Sequence, residues 1–283
     1  MKTLVNYGVA LLCMALTLVA CSSDDATPTP INELQGWTKI QDITTPTHTL
    51  ELFSASGQWV QGYNEVRLRL KNNSTQQYET HASLNWSPLM HMMNMTHSCP
   101  KSEITRETET ASLYSGYLVF QMASNASEYW ELKIDYTLNG TIHTATEVIT
   151  VHPSAKRTVT TFTGTDNKRY ILALVNPKTP KVALNDFTVA LFTMENSTTF
   201  PVVNDYTVQL DPRMPSMGNH SSPNNVHAVQ TTSGGFYHGK LALTMTGYWK
   251  LNLQLVHPQG DILKGEAVTS QVLESSLFLE LEF

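Results

Sequence analysis

Cysteine is scarce. The chain has three in 283 residues, Cys13, Cys21 and Cys99, too few for a disulfide framework. Stability must come from burial, and the length suffices for one large or two ordinary domains. Positive charge is thin as well: 18 Lys and Arg stand against 24 Asp and Glu, for a formal net charge of -6. No basic cluster occurs, which argues against nucleic acid as a partner. Catalytic signatures are missing too. There is no Gly-x-Ser-x-Gly elbow, no phosphate loop and no Gly-x-Gly-x-x-Gly after a strand. Carboxylates are scattered without a spaced pair. No His-x-x-x-His marks a zinc enzyme, since His91 and His97 are six apart. These absences point to binding rather than to an enzyme.

The one long apolar run lies at the N-terminus. Lys2 precedes "GVALLCMALTLVA", which ends at Cys21. The run is too short and wrongly flanked to span a membrane and reads as a signal peptide over residues 1–20. Its end, "LVAC", resembles the lipobox of bacterial lipoproteins, which implies lipidation of Cys21 and attachment to a membrane through that lipid. Next comes "SSDDATPTP", polar, acidic and proline-bearing, the composition of a flexible tether over residues 21–40. Acidic residues soon after the cysteine are similar to the surface-export signal of Bacteroidota lipoproteins. The implied location is the cell envelope, at the outer membrane, on either its periplasmic or its surface face. With Cys13 removed and Cys21 lipidated, Cys99 has no intrachain partner.

The rest of the chain repeats itself. "PLMHMMNMTHSCP", "YSGYLVFQM" and "YWELKIDY" are followed about 120 residues later by "PRMPSMGNHSSP", "YHGKLALTM" and "YWKLNLQL". The interval from His97 to Gly116 is 19 residues, as is that from His220 to Gly239. Such a period is too long for a solenoid unit and predicts two related domains, residues 41–152 and 157–283. The hydrophobic period inside each is two. Val66, Leu68 and Leu70 alternate with charged residues, and Trp130, Leu132, Ile134 and Tyr136 share one face, as do Trp249, Leu251, Leu253 and Leu255. This is the pattern of half-buried strands. No amphipathic helix follows the signal peptide. The fold class expected is all-β, two tandem immunoglobulin-like antiparallel sandwiches.

Each copy carries Met-x-x-Met, a His, then Ser-x-Pro. In the first these are Met90, Met93, His97, Ser98 and Pro100; in the second, Met214, Met217, His220, Ser221 and Pro223. The first copy has one extra residue before its His. Thioether sulfur and imidazole nitrogen suit a soft ion such as Cu(I). Methionine has no proton to lose, so it stays a competent donor at any pH. Methionine equally fills irregular gaps in apolar cores, and both readings stay open. Met122 and Met245, on inward strand faces, and Trp130 and Trp249 belong to the core. Cys99 is a further donor, although its counterpart is Ser222.

The arrangement resembles the YtkA-like and FixH-like family of small extracytoplasmic β-sandwich domains, in which a Met-Pro-x-Met-x-His loop precedes a glycine, a strand and a Gly-x-Trp strand. The second copy matches best, through "RMPSMGNH" and "MTGYW". The first departs from the pattern, with His91 in place of the proline and the longer "ASNASEYW". The resemblance implies copper binding, with Met90, Met93 and His97 forming one metal site and Met214, Met217 and His220 its counterpart. The competing expectation is a surface module that binds an envelope protein or a glycan, with the Met loops structural.

Overall fold

The alternating pattern of the first copy becomes a set of short antiparallel strands. The computed structural model describes residues 33–108 and 112–283. The signal peptide, Cys21 and the tether up to residue 32 lie outside the described residues.

The first sandwich is built from β1 (Thr38–Thr44), β2 (His48–Ser54), β3 (Trp59–Val60), β4 (Gly62–Asn72), β5 (Ser83–His91), β6 (Thr96–His97), β7 (Thr105–Arg106), β8 (Tyr114–Phe120), β9 (Tyr129–Leu138), β10 (Thr141–Ile149) and β11 (Val151–His152). One layer has the order β1-β2-β4-β8-β7 and the other β10-β9-β5-β6. β11 runs parallel to β3. The strand β1 opens at Thr38, three residues inside the span assigned to the tether. Trp37 anchors this entry, with the Arg67 guanidinium 4.5 Å from its ring. The β9–β10 turn uses Asn139 and Gly140 at φ 48° and 79°, the left-handed pair that a two-residue hairpin requires.

The second sandwich holds β12 (Val159–Thr163), β13 (Arg169–Asn176), β14 (Leu184–Thr193), β15 (Thr207–Met214), the single turn of 3-10 helix Pro215–Met217, β16 (His220–Ser221), β17 (Val226–Gln230), β18 (Tyr237–Ala242), β19 (Tyr248–Val256), β20 (Ile262–Lys264) and β21 (Leu277–Glu282). Its order, β12-β13-β14-β18-β17-β15-β19-β20, follows the first sandwich strand for strand, except that β17 also pairs with β15 and joins the layers. β21 adds to the far side of β19. Among the described residues every strand up to β11 pairs within residues 38–152, and every strand from β12 onward within residues 159–282. The chain is thus all-β, in antiparallel sheets apart from the short β3–β11 pair.

Each sandwich closes on its own aromatic core. Trp86 and Trp130 are fully buried among Leu50, Leu68 and Leu132 in the first, and Trp249 among Leu191, Leu210 and Leu251 in the second. Burying a tryptophan removes about 200 Å² from water, on the order of 5 kcal/mol of transfer free energy. The polar edge is satisfied alike in both copies: the Trp130 indole N–H donates to Met122 O and that of Trp249 to Met245 O, each at 3.1 Å. Met122 and Met245 pack partly buried against these cores.

A third apolar cluster joins the halves. Val119 of β8 packs with Val159, Ile171, Ala173, Ala190 and Phe192, with Tyr63, Tyr117 and Phe236 against them. The rings of Tyr63 and Tyr117 lie 5.7 and 5.2 Å from Phe236. This contact explains a difference between the copies. β4 alternates buried and half-buried residues, whereas β14 is buried from Phe187 to Phe192 without a break. Its second face is covered by the first sandwich, so both faces are apolar.

Candidate functional site

Both methionine motifs fall on hairpins at the end of a core strand. In β5 the inward residues are Leu84, Trp86, Pro88 and Met90. Met90 pairs with Trp130 on one side and with His97 on the other, so all three side chains project from the same face of the sheet. Met90 is fully buried. His97 is half-buried, its ring edge-on to Trp130 at 5.5 Å. Its Nδ1 lies 2.8 Å from Ser98 O. A carbonyl only accepts, so Nδ1 carries the proton and Nε2 of the neutral ring keeps its lone pair. Ser98 fixes this corner: its hydroxyl donates to Pro88 O at 2.7 Å and its N–H to Ser197 O of the second sandwich at 2.7 Å.

The turn between β5 and β6 is closed by the Met92 N–H donating to Met95 O at 3.0 Å. Met92 leans on the core, while Met93 is 83 % exposed and Met95 56 %. His91 stacks on Tyr129 at 4.8 Å, with Nε2 3.8 Å from Glu131. Cys99 is buried, and burial pushes its thiol far above the ordinary range. A thiol held in its protonated form is a poor metal ligand.

The second hairpin repeats the pairing with a different turn. Met214 pairs with His220. The turn of 3-10 helix follows Met214 and ends at Gly218, at φ 64°. Met214 is buried, its methyl so close to Gly247 that a Cβ there would lie 3.0 Å from it. Met217 is 57 % exposed and His220 is exposed.

The structure therefore brings together one Met and one His per hairpin, Met90 with His97 and Met214 with His220. It does not gather the exposed Met93 and Met217 with them. The first hairpin is one residue longer, yet the same pair forms: the extra residue is absorbed in the turn. Among the described residues no group of three or more His, Cys, Asp or Glu side chains is placed to hold a metal ion.

A second feature, a buried histidine cluster, has no signature in the sequence. His48, buried at the start of β2, meets Tyr136 of β9 at 5.5 Å and His143 of β10 at 5.2 Å, ring to ring. Its Nδ1 is 2.9 Å from the Thr47 hydroxyl and 3.3 Å from that of Tyr136, and its Nε2 3.9 Å from Glu79. Burial holds the imidazole below its ordinary pKa, helped by His143 and opposed by Glu79. Below about pH 6.5 the unfolded chain takes up the proton that buried His48 resists, so stability falls as pH falls. The expected result is that His48→Gln loses less of its urea midpoint than the wild type between about pH 7.5 and 5.5. Equal losses would remove His48 as the cause.

A cavity of about 480 Å³ opens where the sandwiches meet, lined among others by Trp37, Ser54, Ser56, Tyr63, Pro177 and Lys178.

No family model matches the chain, and no curated protein matches it. Among solved structures, FdeC, an Escherichia coli adhesin, aligns with 78% of this chain and 60% of its own at 15% identity and a TM-score of 0.24. A DUF4785 family protein from Legionella pneumophila aligns with 77% of this chain and 54% of its own at 11% identity and a TM-score of 0.25. A chimeric titin Z1Z2 tandem aligns with 79% and 93% at 12% identity and a TM-score of 0.19. The chain spans less than two thirds of the length of the first two.

Proposed function

We propose that the protein is a lipid-anchored binding protein of the cell envelope that takes Cu(I) at the Met–His pair of each hairpin and catalyses no reaction. The observation that carries this reading is the pairing itself. Two hairpins of different length, with different turns, both set a buried thioether opposite an imidazole. The donor set fits a soft ion: neutral sulfur and neutral nitrogen are what Cu(I) accepts. In the first hairpin the protonated Nδ1 of His97 leaves Nε2 as the donor, an arrangement that also orients metal-ligating histidines. Met90 and His97 would hold the ion in one hairpin, Met214 and His220 in the other. The bound ion would be carried or sequestered. Titration of the protein with Cu(I) against a competing chelator is expected to show two ions per chain.

Anchoring rests on Cys21, and the partner it implies is the outer membrane. Several acyl chains anchor stably where one binds marginally. Cys21→Ser is expected to move the protein from the membrane fraction to the soluble one; retention in the membrane would refute the anchor.

A second reading is favoured by the solvent-facing Met93 and Met217 and by the junction cavity. Its aromatic and hydroxyl lining, Trp37 and Tyr63 with Ser54 and Ser56, suits a glycan or an envelope protein, and the buried methionines are then packing. Absence of Cu(I) uptake would leave this reading in place.

A further inference from the structure

The sheets end in edges, and most of these are blunted as edge strands must be to stay unpaired. β1 carries a bulge between Lys39 and Gln41. β6, β7 and β16 have two residues each, β12 five and β20 three. β21 bears Glu280 and Glu282, and its Glu280 N–H already donates to Arg157 O. β10 differs. It is nine residues long, TIHTATEVI, with no proline, no lysine and one carboxylate. It pairs with β9 in unbroken register from Thr141 to Ile149. Among the described residues no backbone hydrogen bond reaches residues 142–148 from its other side. Its outward-facing side chains are Ile142, Thr144, Thr146 and Val148, all β-branched and all exposed, Ile142 at 73 % and Val148 at 54 %.

The strand is complementary to itself. Two copies laid antiparallel with Ala145 on the twofold axis place Thr144 opposite Thr146 of the second copy. The same register sets Ile142 opposite Val148 and His143 opposite Glu147. The outer face thus gains two apolar pairs and two hydroxyl pairs, and the inner face two pairings of an imidazole with a carboxylate. A shift of two residues either way loses the His–Glu pairs, and a shift of one puts core-facing side chains opposite solvent-facing ones. We propose that β10 is a dimerisation edge whose occupant is β10 of a second copy of this chain, continuing the β10-β9-β5-β6 sheet across a twofold axis. An isologous contact of this kind closes on itself and does not propagate.

The test uses the purified full-length chain. Sedimentation at about 0.1 mM, where weak interfaces are populated, is expected to give a dimer. The double substitution Ile142→Lys with Val148→Lys, at two exposed positions, is expected to halve the measured mass with an unchanged circular dichroism spectrum. Register is read by mixing chains bearing Thr144→Cys with chains bearing Thr146→Cys. A disulfide-linked pair is expected in the mixture, above the background of the parent chain, whereas Ile142→Cys alone gives none. A wild-type chain that stays monomeric would overturn the proposal. So would a dimer that survives both lysines, or one that forms no link between positions 144 and 146.

Discussion

Replacing Gly239 with alanine is expected to cost the second sandwich about 3 kcal/mol or more, at the upper end of what overpacking does. Gly239 sits in β18, facing Phe187 of β14 in the ladder. A Cβ built there meets Val226 O at 2.3 Å and Ala228 N at 3.0 Å. These are backbone atoms of β17, which cannot swing aside as a side chain does, and β17 is the strand that joins the two layers. Urea denaturation should show a midpoint shift many times that of an ordinary surface substitution, which stays within about 0.5 kcal/mol. A shift of surface size would mean that β17 lies elsewhere. Gly116, the matched glycine of the first copy, meets the Trp86 ring at 2.7 Å and the Ser102 hydroxyl at 2.9 Å. The nearest backbone atom there, Glu103 O, stands at 3.0 Å, against 2.3 Å for Val226 O at Gly239, so Gly116→Ala is expected to cost less.

The second large effect is on metal uptake. With both members of one pair replaced, Met90→Leu together with His97→Gln, the protein is expected to take up one Cu(I) where the wild type takes two. Met214→Leu with His220→Gln is expected to do the same from the other side, and all four substitutions to abolish uptake. Affinity at an altered hairpin should fall more than about 100-fold, beyond what loss of a supporting partner alone brings. The change is not one of folding. Leucine matches methionine closely in volume, and such swaps cost below about 1.5 kcal/mol. Met93→Leu alone is expected to weaken binding less than Met90→Leu, since Met93 stands in solvent and Met90 opposite His97.

Much of the fold was legible because the period of two was strong. Val66, Leu68 and Leu70 are buried in alternation, as are Trp130, Leu132, Ile134 and Tyr136. The matched glycines were visible as a spacing, but their reason was not: it is the approach of β17 to Gly239 and of Trp86 to Gly116, contacts between residues distant in sequence. The candidate site was legible in part. Recurrence marks Met90 and His97, and the Met-x-x-Met spacing suggests one cluster. The strand ends before its second methionine in both copies: β5 stops at His91 and β15 at Met214, so Met93 lies in the turn and Met217 in the turn of 3-10 helix. That end point, which the spacing does not mark, separates the buried Met90 from the exposed Met93. The unbroken run "FTVALF" in β14, against "VRLRL" in β4, does signal a strand covered on both faces. The His48 cluster left no such trace, because Tyr136 and His143 reach it from another layer.

The most direct measurement is the copper K-edge absorption spectrum of the Cu(I)-loaded protein. The account predicts scattering from both sulfur and imidazole in the first coordination shell, with the sulfur contribution lost when Met90 and Met214 are both leucine. A loaded wild type with only nitrogen and oxygen neighbours, or a sulfur shell unchanged in the double leucine variant, would contradict it.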